Sequence, residues 1–146
     1  MSKNTRIVVV GNGMVGHKFL EALAEREDVE ACEVIVLCEE PRAAYDRVYL
    51  SAYFSGKTAE DLSLVQGDFF NEKDFALKLN TKAVAIDKAA KTVTTAAGET
   101  IAYDKLVLAT GSYPFVPPVP GHNREHCLVY RTIEDLEAIK IGRAHV

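Results

Sequence analysis

Residues 8–16 read "VVVGNGMVG", a β-branched run that enters three glycines spaced as G-x-G-x-x-G. "RIVVV" (6–10) shows no apolar–polar alternation. That marks a strand covered on both faces, as in a parallel sheet. From Met14 to about Glu27 the pattern turns helical, with Val15, Phe19, Ala22 and Leu23 expected on one face and Lys18, Glu21, Glu25 and Arg26 elsewhere. "EVIVLC" (33–38) is expected to be a second buried strand. Strand, glycine loop, helix and strand together make one compact supersecondary unit.

Each glycine has its own physical reason. Gly11 permits a tight turn out of the strand. Gly13 has no Cβ, so a pyrophosphate can approach the backbone, and Gly16 lets the helix lie close to the sheet. The helix start presents N–H groups without intrahelical partners and a partial positive charge, both suited to phosphate. A bare G-x-G-x-x-G is a weak signal. Its position between a buried strand and an amphipathic helix strengthens it.

Glu39 and Glu40 lie at the end of the second strand, 23 and 24 residues beyond Gly16. A ribose-binding carboxylate is expected about 20 residues on. Glu39 is the first choice because it directly follows the strand, whereas Glu40 precedes Pro41. A carboxylate there accepts from ribose hydroxyls and repels a 2′-phosphate. These features point to a dinucleotide and leave open whether it carries flavin or nicotinamide.

After Cys38 the alternation of helix and parallel strand stops. "EEPRAAYDRVYLSAYFSGKTAEDLSL" reads as a loop with short helical pieces, and Thr58 starts a capping-box-like Thr-Ala-Glu-Asp. Residues 76–103 hold four short strand candidates, "ALKLN", "KAVAID", "TVTTA" and "TIAY", separated by turn-forming "DKAAK" and "AAGE". They are expected to form an antiparallel meander inserted into the α/β unit. "KLVLATG" (105–111) is another buried strand. "SYPFVPPVPG" holds four of the five prolines and must be an extended connector. "CLVY" is expected as a short strand. "TIEDLEAIK" opens a helix, with Thr132 as its N-cap.

The fold class expected is therefore α/β: a Rossmann-like parallel sheet with helices and a small inserted meander. The last six residues, "IGRAHV", look like the translation of a sequencing adapter. The expectation is that residues 1–140 are the N-terminal, incomplete part of a cofactor-binding domain, and that 141–146 are a non-native read-through tail.

Composition narrows the partners. Net charge is −4 with the signs interspersed, so no basic nucleic-acid face is expected. No apolar stretch approaches the roughly 20 residues of a membrane helix, and no signal peptide is seen, so a cytoplasmic location is expected. Three cysteines without a C-x-x-C argue against a disulfide framework or zinc ribbon. Cys38 is expected as a small buried hydrophobe. His17, His122, His126 and His145 have no metal-ligand spacing. His17 is expected to be exposed or packed on the early helix and not to be a catalytic base. No metal site and no catalytic side chain are assigned. Tyr45, Tyr49, Tyr53 and Phe54 are expected to pack their loop more than to stack on a ring.

With these residues set out, "VVVGNGMVGHKFLEAL", "CEEPRAAYDRVYLSAYF", "YDKLVLATGSYPFVPPVPG" and "VYRTIEDLEAI" together resemble the N-terminal region of the large subunits of NAD(P)H-dependent nitrite reductases. More broadly they resemble the pyridine nucleotide–disulfide reductase superfamily, in its ferredoxin-reductase-like branch. The resemblance covers residues 5 to 139. It implies that the glycine loop holds FAD, with Gly11, Gly13, Met14, Val15 and Gly16 around the pyrophosphate and Glu39 or Glu40 on the adenosine ribose. It implies Arg47 near the phosphates, Ser51 near the flavin end and Val84 against the adenine through its backbone. Ala109, Thr110 and Gly111 are implied as a second loop approaching the cofactor. Plain alternatives stand beside these: a surface ion pair for Arg47, an ordinary strand end for Ala109 and Thr110.

The resemblance further implies a whole enzyme of nitrate assimilation. It would take hydride from NAD(P)H onto FAD and pass electrons through an iron–sulfur cluster to sirohaem, where nitrite becomes ammonia. A small nitrite reductase subunit is implied as a partner. The nicotinamide motif and the cluster and sirohaem ligands are not in these residues, so this stretch alone should be inactive. Two departures matter: Ala52 stands where many relatives carry Lys, and the redox cysteine pair is missing. The alternatives are a ferredoxin- or rubredoxin-type flavin reductase, and, in another class, a non-catalytic NAD-binding redox sensor.

Overall fold

The computed structural model describes residues 2–144. It divides into two compact units. The first runs up to Tyr45 and from Ser63 to Gly111, and the second comprises Asp46–Leu62 and the chain from Ser112 on.

The first unit is built on β1 (Thr5–Val10), α1 (Met14–Ala24) and β2 (Cys32–Leu37). A one-turn helix α2 (Phe69–Glu72) then leads into β3 (Phe75–Lys78). Strands β4 (Ala83–Asp87), β5 (Thr92–Thr95), β6 (Thr100–Ala102) and β7 (Lys105–Leu108) follow. A four-stranded parallel sheet has the order β3-β2-β1-β7, and an antiparallel sheet the order β4-β5-β6.

The missing alternation in β1 and β2 has a direct cause. Ile7 and Val9, with Val34 and Val36, face α1 through Leu20 and Leu23, and Phe75 joins them. Val8 and Val10, with Ile35 and Leu37, face the meander through Val93 and Ile101. The parallel sheet is thus covered by a helix on one side and by the small sheet on the other. Every residue of these strands' buried halves is apolar because both faces are interior.

Four expectations need correction, the first being β7, expected as a buried strand: none of its residues is buried and Leu108 is 60% exposed. "ALKL" belongs to the parallel sheet, not to the meander: β3 pairs in parallel with β2, Val34 opposite Phe75. The third parallel strand therefore exists, reached after a long excursion. As an edge strand it is buried mainly at Phe75, so its sequence alternates and imitates an antiparallel strand. The meander proper is β4–β6. On α1 the buried residues are Gly16, His17, Leu20 and Leu23, with Phe19 at their flank, whereas Val15 is 74% exposed and Ala22 is exposed. The helix is rotated toward the face that carries Gly16. "CLVY" forms no strand.

In the second unit a 3-10 turn, Leu50–Ser55, packs against α3 (Ile133–Ala144). Leu50, Ile133 and Leu136 are buried there. Thr132 caps α3 as expected: its Oγ1 accepts from Asp135 N at 3.2 Å, and Asp135 Oδ2 accepts from Thr132 N at 2.8 Å. Thr58 and Asp61 make the same reciprocal pair at 2.8 and 3.2 Å, but a turn follows instead of a helix. Helix α3 runs through the first four residues of the terminal hexapeptide. His145 and Val146 lie outside the described residues.

Candidate functional site

The parallel strands end together at one edge. Gly11 N donates to Leu37 O, Ala109 N to Val10 O and Cys38 N to Lys78 O, at 2.9, 2.8 and 2.9 Å. β1 lies between β2 and β7, so the connections diverge at its carboxyl end, where open α/β sheets bind their ligands. The glycine turn occupies that point.

The three glycines differ in what compels them. Gly11 has φ +106°, and a Cβ there would lie 2.2 Å from the Ala109 carbonyl oxygen. A Cβ on Gly16 would lie 2.5 Å from Gly11 O. Both are required by the chain's own packing. Gly13 is not: its φ of −95° suits any residue, and a Cβ would meet nothing within 4 Å. Open space faces the backbone where α1 begins.

Gly13 is also the N-cap of α1, and no side chain caps it. The first intrahelical bond runs from His17 N to Gly13 O at 2.9 Å. The amides of Met14, Val15 and Gly16 precede it and have no intrahelical acceptor. No acidic residue occupies the first turn, so the positive end of the helix is not neutralised from within. Met14 and Val15 are exposed at 38% and 74%, which leaves this mouth accessible.

Both carboxylates follow β2, in different roles. Glu40 Oε1 accepts from the buried Tyr45 hydroxyl at 2.9 Å and so belongs to the loop's own bonding. Glu39 projects outward, with Lys82 Nζ 3.9 Å from its Oε1 at an exposed position. Ala109 packs beneath the glycine turn, and Thr110 and Gly111 are exposed beyond it, Gly111 with φ +67°. Val84 is on β4 and 56% exposed. All these residues belong to the first unit. Arg47 and Ser51 belong to the second, where Arg47 Nη1 donates to Arg131 O at 2.6 Å and Ser51 is exposed.

Asn12 and His17 carried no signal in the glycine spacing. Asn12 is 7% exposed and its Oδ1 accepts from Ala44 N at 2.9 Å. His17 is 2% exposed, edge-on to Phe69 with ring centroids 5.1 Å apart. Burial pulls its imidazole below the usual 6.5; the Glu21 carboxylate and the Leu64 backbone oppose this, and Lys18 adds a little to the lowering. Its Nδ1 has no hydrogen-bond partner. A neutral packed histidine fits these facts. Tyr45 is buried, while Phe54 stacks with Tyr130 at 6.3 Å and Tyr49 is 66% exposed. Cys38 is buried, Cys32 intermediate and Cys127 exposed, and none of the three is in a disulfide.

A cleft of about 380 Å³ lies between Lys3, Glu33, Phe70 and Asp74, by the starts of β2 and β3 and away from the glycine turn. Among the described residues no group of three or more His, Cys, Asp or Glu is placed to hold a metal ion. Among them, too, no helix is long and apolar enough to cross a membrane.

A parallel strand, a glycine turn, an open helix mouth and an acidic residue after the next strand define a Rossmann-like dinucleotide-binding domain. Residues 5–145 match the pyridine nucleotide-disulphide oxidoreductase family, and the chain belongs to it. It is 55% identical over 133 residues to the nitrite reductase [NAD(P)H] large subunit of Klebsiella oxytoca, covering 91% of this chain and 14% of that protein. It is 49% identical over 140 residues to the nitrite reductase (NADH) large subunit of Escherichia coli (strain K12), covering 96% and 16%. Among solved structures it resembles NADH:rubredoxin oxidoreductase from Clostridium acetobutylicum, with a TM-score of 0.81 and 25% identity over 95% of this chain and 35% of that one. The chain thus spans a small part of the length of these relatives. The expected likeness to nitrite reductase large subunits holds.

Proposed function

We propose that the first unit grips the diphosphate of FAD at the mouth of α1, as part of an NAD(P)H-dependent nitrite reductase large subunit. The observation that carries this is Gly13: the chain's own packing does not require a glycine there, and the space in front of it lies over three helix-terminal amides. A diphosphate is the ligand such a mouth suits. The chain's residues fit the group. Amides of Met14, Val15 and Gly16 would hold the phosphates, and Glu39 would accept from the adenosine ribose hydroxyls. Val84 would meet the adenine through its backbone, and Ala109, Thr110 and Gly111 would border the cofactor from the β7 side. Glu40, committed to Tyr45, would hold the loop in shape.

FAD, when bound, supplies the exchange between a two-electron hydride donor and one-electron carriers. NAD(P)H and nitrite would be the substrates of the whole enzyme. An iron–sulfur cluster, sirohaem and a small subunit belong to this reading as parts supplied elsewhere, in a cytoplasmic enzyme. Identities of 55% and 49% to nitrite reductase large subunits favour it over a rubredoxin-type reductase, to which identity is 25%.

The test is a visible spectrum and a cofactor titration of the whole protein. Flavin absorbance, FAD uptake by the stripped protein and NAD(P)H-dependent nitrite reduction are expected. A colourless protein that binds NAD and refuses FAD would overturn the proposal in favour of a sensor module.

A further inference from the structure

Asn12 stands between the first two glycines, yet its side chain turns inward and is 7% exposed. Its Oδ1 accepts from the Ala44 amide, 32 residues away, at 2.9 Å. Ala44 and Tyr45 are 1% and 2% exposed, and they end the loop that carries Glu39 and Glu40. That loop is laced internally: Cys38 Sγ donates to Arg42 O at 3.3 Å, and Tyr45 Oη to Glu40 at 2.9 Å. It is also tied outward, through Leu64 N to Ala44 O at 3.0 Å and Asn80 N to Glu40 O at 3.1 Å. The β1–β2 ladder ends where Gly11 N meets Leu37 O. Past that point the Asn12 side chain provides a link between glycine turn and acidic loop.

Stability alone does not explain the carboxamide. Asn12 Nδ2 is buried without a partner, and an unsatisfied buried donor is destabilising. An aspartate would offer the same acceptor but would place negative charge beside a mouth suited to anions. Asparagine offers that acceptor without the charge.

We infer that Asn12 is a positioning residue: by holding the Ala44 amide it fixes the distance between the diphosphate-binding turn and the ribose-binding carboxylate. This rests on the FAD reading above. Asn12 need not touch the cofactor. It acts through Glu39, so its contribution must depend on Glu39.

The experiment titrates FAD into the stripped whole protein by fluorescence quenching, for the wild type, Asn12→Ala, Glu39→Gln and the double variant. Hydrogen exchange at the Ala44 amide is followed without FAD. Asn12→Ala should weaken FAD roughly tenfold, the worth of one misaligned charge-assisted hydrogen bond. In the Glu39→Gln background the loss should shrink to less than about twofold, the non-additivity expected of coupled residues. The Ala44 amide should exchange faster. Equal losses in both backgrounds, unchanged affinity, or unchanged Ala44 exchange each overturn the inference while FAD binding by the wild type stands. A wild type that takes up no FAD overturns the functional reading and this inference together. If Asn12→Ala loses its circular dichroism, Asn12→Ser, too short to reach Ala44, takes its place with the same expectations.

Discussion

Replacing Gly13 by valine separates folding from binding. The backbone at Gly13 has φ −95°, and no heavy atom lies within 4 Å of an added Cβ. The folding cost is therefore confined to a poorer N-cap, about 1 kcal/mol. It is opposed by a loss of unfolded-state freedom worth roughly 0.4–1 kcal/mol. Net stability should change by less than about 1 kcal/mol, a shift of at most several degrees in Tm. Binding should respond very differently. A branched side chain over the helix mouth holds the diphosphate away from the α1 amides. Two charge-assisted hydrogen bonds of about 1.5–3 kcal/mol each would go, which is more than 100-fold in Kd. The assay is FAD titration of the stripped protein beside thermal melts with and without cofactor. At about 100 times Kd, FAD should raise wild-type stability by roughly 2.7 kcal/mol, and the variant should show no such rise. A folded Gly13→Val protein with wild-type FAD affinity would refute the placement of the diphosphate.

Gly16→Ala should do the reverse of Gly13→Val, destabilising the apo-protein by about 1–3 kcal/mol in denaturant melts, because its Cβ would sit 2.5 Å from Gly11 O. Leu20→Ala, fully buried between α1 and the sheet, should cost about 3 kcal/mol in the same assay. His17 titrates below 6.5 when folded, so the unfolded chain binds its proton first as pH drops. Its neutral form supports the fold above pH 6.5, and that support is lost as pH falls from 6.5 through the folded value. Tm measured against pH should therefore fall across this window more steeply for the wild type than for His17→Leu. Thr132→Ala should remove the cap of α3 and cost about 1 kcal/mol, read as lowered thermal stability.

Much of the site was legible because it is local. A β-branched run, three glycines and an amphipathic helix are neighbours in the chain, and their spacing states both the turn and the helix mouth. The close packing at Gly11 and Gly16 followed from the same spacing. Other features were hidden for a physical reason. β3 is short, alternating and preceded by a helix of one turn, so nothing in its own residues separates an edge strand of the parallel sheet from a hairpin strand. Its parallel pairing to β2 is visible only in the assembled sheet. The division of labour between Glu39 and Glu40 depends on where the Tyr45 hydroxyl lies, and the brace at Asn12 on an amide 32 residues away.

The sequence by itself determined the strand–glycine–helix–strand unit, the doubly covered strands and the acidic residue that follows them, because backbone preference and burial pattern are written in adjacent residues. Only the tertiary structure decided which glycine faces open space, which carboxylate remains outward and which side chain ties the two loops together. Those properties depend on atoms that distant parts of the chain bring, or fail to bring, to the same place.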